Sequence, residues 1–257
     1  MKIQQAIFTS SDRGQIKGYQ LVAVSEGIDR SLSRELQLWS PSHLGEDDPA
    51  KWTINYFPVS LDHVAVTRTV LGGPEYSSRG GSQVVTLIAV LHNQQFSAYD
   101  NNAMLVARTA LALGWLRISS DIPSRLEPME LPDIPLPASR GSYSFSPPQI
   151  TDPVDHSPSI SAASRTTLDD QLDVHVLSSL TERLKNKQRI GIVGARDPLH
   201  MVETFIERLP IANRRTFSFT TGLHPTYNRP FQAHFLDSAS PALVQTLKSE
   251  GIMLVDL

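Results

Sequence analysis

Cysteine is absent from the 257 residues, which removes disulfides, thiolate zinc sites, iron–sulfur clusters and thiol nucleophiles together. Long apolar runs are absent too. The start, MKIQQAIFTSSDRG, offers only Ala6-Ile7-Phe8, too short for a signal-peptide core, and the patch Ala103–Leu116 is broken by Arg108 and Thr109. No membrane association is expected, and the cytoplasm is the expected compartment. Neither charge sign dominates: with a net charge of −3, nothing draws the whole chain towards nucleic acid. The eight histidines form no tract or paired spacing, so neither a metal nor another cofactor is expected.

What is present is a globular composition, 40% hydrophobic and 19% charged, on a chain long enough for two cores. Proline is concentrated in one place. Positions 123, 128, 132, 135, 137, 147, 148, 153 and 158 hold nine of the 18 prolines. Proline removes a backbone donor and fixes φ, so this stretch cannot be a helix interior or a central strand. It reads as a connector over 121–165 between a domain at 1–120 and another at 166–257. The connector is either a structureless tether, the favoured reading, or an ordered strap pinned by Leu126, Met129, Leu131 and Ile134.

The first half is dominated by strand signals at Ile3–Thr9, Gly18–Ser25, Trp52–Val59, His63–Leu71 and Gln83–Leu91, each rich in β-branched and aromatic residues. Two helices interrupt them: Asp29–Trp39, with Asp29 as N-cap, and Asn102–Leu113, apolar nearly all round and stopped by Gly114. In the second half a helix runs through Leu168, Leu172, Val176, Leu180 and Leu184. A strand follows at Arg189–Gly194, then a helix capped by Asp197-Pro198 and closed at Pro210. Strands at Thr216–Thr221 and Phe231–Asp237, a helix from Ser240-Pro241 to Gly251 and a strand at Ile252–Leu257 complete the order. The expected class is α+β, with a β-rich antiparallel N-terminal domain and a smaller C-terminal α/β domain of split βαβ type.

Four stretches invite a functional reading. The first is the loop Ser10–Gly18 with Tyr19, which reads first as a flexible hairpin. The second is Glu75-Tyr76-Ser77-Ser78-Arg79-Gly80-Gly81, where two glycines let the backbone approach a ligand and an arginine presents a fork to a carboxylate or phosphate. A surface Glu75–Arg79 pair explains it as well. The third, Gly191–Pro198, lacks the lysine of a P-loop and the third glycine of a dinucleotide fingerprint, and Asp197 would occupy the helix donors itself. The fourth is the group Arg208, Arg214, Arg215 and Arg229 near Ser218–Thr221, an anion or partner site, or a solvated helix end. No nucleophile elbow and no H-E-x-x-H occurs, and adjacent Asp62 and His63 on a strand point to opposite faces. The inventory leans away from an enzyme.

Taken in order, Gln5–Ser10 with Gly18-Tyr19-Gln20 and Ser25, then Asn55-Tyr56-Phe57-Pro58, then Glu75–Gly81 with Thr86, resemble the GTPase-associated adaptor family of bacterial conflict systems, in its N-terminal module of the second type. Leu209-Pro210, Arg214 and Phe217-Ser218-Phe219-Thr220-Thr221-Gly222 resemble that family's middle module. Larger members carry further C-terminal material, and no third module is expected within these residues. The resemblance implies a cytoplasmic, non-catalytic adaptor or sensor whose partner is a GTPase or effector protein. It assigns no catalytic residue. The binding candidates are Tyr19, Glu75, Tyr76, Arg79, Gly80, Gly81 and Arg214. The rival readings are a small-ligand or nucleotide sensor acting through Glu75–Gly81 and, behind it, an unrecognised hydrolase.

Overall fold

A computed structural model describes residues 1–12, 17–44, 52–74, 82–118, 122–133 and 174–257. The expected strands of the first half form and pair through neighbours. These are β1 (Lys2–Ser11), β2 (Gly18–Val24), β3 (Trp52–Pro58), β4 (His63–Pro74) and β5 (Ser82–His92), antiparallel in the order β3-β4-β5-β1-β2. Period-two alternation puts one set of side chains on each face of this sheet. Helix α1 (Arg30–Trp39) starts where expected, with Asp29 accepting the Leu32 N–H at 2.8 Å. One short helix was not legible: α2 (Asn93–Ser97) is capped by His92, whose ring accepts the Gln94 N–H while Gln95 returns to the His92 N–H. Histidine is not among the usual capping residues, so no signal announced it. Helix α3 (Ala103–Ala112) ends at Gly114, at φ +86°, with the Trp115 N–H closing back on the Ala110 carbonyl at 2.8 Å.

The opening of the proline-rich stretch is a strap rather than a tether. Leu126 bridges to Ser25, and β6 (Met129–Glu130) pairs with β1. Leu126, Met129 and Leu131 are buried, and the Leu131 N–H donates to the Met1 carbonyl at 3.0 Å. Apolar side chains placed between the prolines outweigh the loss of backbone donors. Ile134 lies outside the described residues, as does the rest of the expected connector.

The second half contributes α4 (Val174–Lys185), β7 (Ile190–Val193), α5 (Pro198–Arg208), α6 (Ile211–Arg214), β8 (Phe219–Thr220), β9 (Ala233–Leu236), α7 (Pro241–Ser249) and β10 (Met253–Asp256). Pro210 does close α5, but it also opens α6, a single turn that delays β8. The Thr216 and Phe217 N–H groups still donate to Asn213, leaving a strand of only two residues where six were expected. As a split βαβ layer requires, β9 lies between β7 and β8. It runs parallel to both, however, because residues 221–232 carry the chain back across before it pairs.

The halves share one sheet, in the order β10-β7-β9-β8-β3-β4-β5-β1-β2, through an antiparallel contact of β8 with β3. One face packs Ile54, Tyr56, Val66, Leu87 and Ala89 with Phe96, Val106, Phe205, Phe219 and Phe235, drawing on both halves. The opposite face packs Phe8, Phe57 and Ile88 under Leu32 and Leu36 of α1, with Phe231 from the second half. There the Trp39 ring stacks on Phe57 at 4.5 Å and meets Phe231 edge-on at 4.9 Å.

Candidate functional site: a buried polar seam

On the α1 face of the sheet a row of polar side chains crosses the joint between the halves. Alternation places Thr53 and Asn55 of β3, Thr67 and Thr69 of β4 and Thr86 of β5 on the same side as Phe57. The register aligns Asn55 with Thr67 and with Thr220, and Thr220 with His234. All are buried. Asn55 is the hub. Its amide nitrogen donates to the hydroxyls of Thr67 at 3.0 Å, Thr53 at 3.1 Å and Thr69 at 3.3 Å, and its Oδ1 accepts from Thr220 at 2.6 Å. The Thr220 hydroxyl oxygen also accepts the N–H groups of Leu223 and Gly222. A buried amide must find partners for most of its capacity, and this one finds them in both halves. The seam therefore sets the register between β3 and β8, where only two residue pairs form the ladder.

At the far end of the row, saturation stops. His234 is fully buried, and neither ring nitrogen has a hydrogen-bond partner among the described residues. Burial, reinforced by the Arg189 guanidinium, pushes its pKa down to about 3; the backbone of Leu223 and Phe231 offsets this in part, out of bonding geometry. The ring is neutral at physiological pH. Arg229 is 9% exposed and its Nε is also unpartnered. Burial lowers its pKa, and no carboxylate among the described residues acts on it.

The residues singled out from sequence fall in different places. The Tyr19 ring stacks on Phe8 at 5.9 Å and its hydroxyl accepts the Val84 N–H at 3.1 Å, tying the edge strand β2 to β5 across β1. Arg214 spends its guanidinium on the molecule itself. It donates to the carbonyls of Leu209 at 3.0 Å, Glu207 at 3.4 Å and, from the other half, Asp100 at 3.3 Å. Glu75, Tyr76, Arg79, Gly80 and Gly81 lie outside the described residues. Of the arginine group, Arg229 is enclosed rather than part of a solvated helix end, and the Arg215 carbonyl receives the Tyr56 hydroxyl at 2.7 Å. Asp197 occupies the start of α5 by accepting the His200 N–H at 3.0 Å. Ser60 and His63 approach to 3.3 Å, but the serine oxygen accepts the Asp62 and His63 N–H groups, which is a turn-closing role. Among the described residues, no group of three or more His, Asp or Glu could hold a metal, and no helix is long and apolar enough to cross a membrane.

Asn55 and Thr220 each sit in a stretch whose likeness to a known family was visible in the sequence, and the fold joins them by a hydrogen bond. Residues 2–132 match the family described as GTPase-associated protein 1, N-terminal domain type 2, over just over half of the chain. The chain belongs to this family. No curated protein and no solved structure matches it. The matched region covers the five antiparallel strands, α1 to α3 and the strap through Pro132, so the strap is part of the GTPase-associated N-terminal domain. Neither Asn55 nor His234 had been chosen as a site from sequence. The signal for the former was there, in threonines at 67 and 69 opposite Thr53 and Asn55 at strand spacing. For His234 there was none, since a lone histidine in an apolar strand looks like any core residue.

Proposed function

We propose that this member of the GTPase-associated family is a non-catalytic adaptor or sensor in a GTPase-linked bacterial conflict system, recognising a GTPase or its effector as a protein partner. The family domain over residues 2–132 carries this reading. The seam agrees with it: Asn55 and its threonines spend their polar capacity on joining two halves, which suits a protein whose task is to hold surfaces in a fixed relation. The middle-module likeness of the second half belongs to the same reading. Tagged protein captured from its native bacterium, with bound proteins read by mass spectrometry, should enrich a GTPase over a tag-only control. Enrichment of none, in both nucleotide-loaded and nucleotide-depleted lysates, overturns the reading.

A further inference from the structure

The crossover at residues 221–232 brings unsatisfied polar atoms together in a short stretch of chain. The Thr226 hydroxyl, Arg229 Nε and both His234 ring nitrogens are buried without hydrogen-bond partners among the described residues. The turn that carries Thr226 and Arg229 is closed, and His234 follows it in β9: the Arg229 N–H donates to the Thr226 carbonyl at 3.0 Å, and the Phe231 N–H to the Arg229 carbonyl at 2.8 Å. Phe231 meets the His234 ring edge-on at 5.7 Å. Tyr227, Asn228 and Pro230 are exposed, so Arg229 is the inward residue of a turn at the surface. A guanidinium cannot shed its proton, and enclosing one without a carboxylate is costly. The charged groups acting on His234 are both arginines, Arg189 and Arg229, and Arg189 is paired with Glu250 at 3.4 Å. Among the described residues, no carboxylate balances the positive charge of Arg229.

We infer that Thr226, Arg229 and His234 form a binding site for a small oxyanion, best matched by a phosphoryl group. The guanidinium Nε–H and the threonine hydroxyl donate to its oxygens, as charge-assisted hydrogen bonds. The neutral imidazole offers one N–H and one lone pair. A hydrogen phosphate, or a phosphate monoester that keeps a proton, has both acceptor oxygens and an O–H, and answers either nitrogen. An ionised carboxylate has no donor and answers only one. The site stands or falls apart from the GTPase reading, because it belongs to the half outside the family match.

The test uses the full chain in phosphate-free buffer, titrated with sodium phosphate, sodium acetate or sodium chloride at matched ionic strength and followed by melting temperature and calorimetry. Phosphate is expected to raise the melting temperature saturably, by about 5–10 °C at a hundredfold excess over Kd, and acetate far less. Arg229→Met should abolish the phosphate response while the unliganded melting temperature holds or rises, since an uncompensated buried charge is gone. A merely structural arginine would lower it. Thr226→Val, which keeps the shape of the side chain, should weaken phosphate binding about tenfold, and it carries the test alone if Arg229→Met does not fold. A wild-type response no larger than that to chloride, an acetate response equal to the phosphate one, or full phosphate binding by Arg229→Met or Thr226→Val would each overturn the assignment.

Discussion

The two halves of the sheet are built in opposite ways. In the first half β3, β4 and β5 pair as neighbours in sequence, as do β1 and β2, and one long antiparallel β1–β5 ladder joins the two runs. In the second half β7, β9 and β10 are four residues each and β8 is two. All are parallel to their neighbours within that half, with pairings that cross helices or the 221–232 segment. Short parallel strands reward the chain only after distant segments have met. The first half can specify itself, whereas the second borrows specification from β3, from Tyr56, which stacks on Phe96 and meets Phe219, and from Asn55.

The largest expected effect comes from cutting the molecule there. Residues 1–133 expressed alone should unfold cooperatively. Residues 174–257 alone should show no cooperative transition in denaturant, because Phe217 and Phe219 lose their cover and β8 becomes an unpaired edge. Two cooperative fragments would show that each half has a sufficient core of its own. Two unfolded fragments would show that neither has.

A smaller effect tests the seam itself. Asn55→Ala removes a hub with four side-chain partners and strands buried hydroxyls, so a loss of about 3 kcal/mol is expected in urea titrations. Thr220→Val should cost about 1–2 kcal/mol, and the double-mutant cycle should return a coupling of about 1 kcal/mol or more. Additivity within error would mean that the seam does not couple the halves.

Local chemistry explains what could be read from sequence. Asp29, Gly114, Asp197-Pro198 and Ser240-Pro241 announce helix ends because each satisfies, or replaces, a backbone group within its own turn. The five strands of the first half were visible because each is rich in β-branched and aromatic residues and lies between turn residues; β3 and β5 are buried on both faces. What escaped depended on distant partners. Leu126 and Met129 become a strap only because β1 and Ser25 are there to receive them. β8 shrinks because Asn213 still holds the Thr216 and Phe217 N–H groups. Arg229 and His234 gain meaning only when the chain crosses back over the sheet, whereas the Glu75–Gly81 stretch, prominent in sequence, lies outside the described residues.

The unsaturated end of the seam predicts an acid response steeper than that of the first half. His234 has a folded pKa of about 3, below the ordinary value of 6.5 that it regains on unfolding. The unfolded state therefore binds the proton first, so the contribution to stability is complete above about pH 6.5 and is lost as pH falls towards 3. Within that window the loss is on the order of 1 kcal/mol per pH unit, or about 2 kcal/mol between pH 7 and pH 5. Denaturation in phosphate-free buffer at several pH values should show this slope in the full chain, reduced in His234→Phe, and shallower in residues 1–133, where partial burial and the neighbouring His92 lower the pKa of the more exposed His63. Equal slopes in wild type and His234→Phe would assign the acid lability elsewhere.

The smallest expected effect concerns Arg214, and it separates a clamp between the halves from a contact for a partner. Its guanidinium reaches Leu209 and Glu207 at the end of α5 and Asp100 in the turn before α3, so one side chain ends a helix of the second half and touches the first. Removing it leaves carbonyls that water can reach in part, which limits the cost. Arg214→Ala should lower stability by about 1–2 kcal/mol. Arg214→Lys should recover little, because a single ammonium cannot serve three carbonyls that the planar fork meets together. If Arg214 is only a clamp, capture of a GTPase partner by the folded variant is unchanged once temperature is held well below its melting point. Capture weakened tenfold or more at unchanged stability would instead place Arg214 at the contact with the partner, as the family likeness around it implies. A melting curve and a binding titration on the same two variants decide between them.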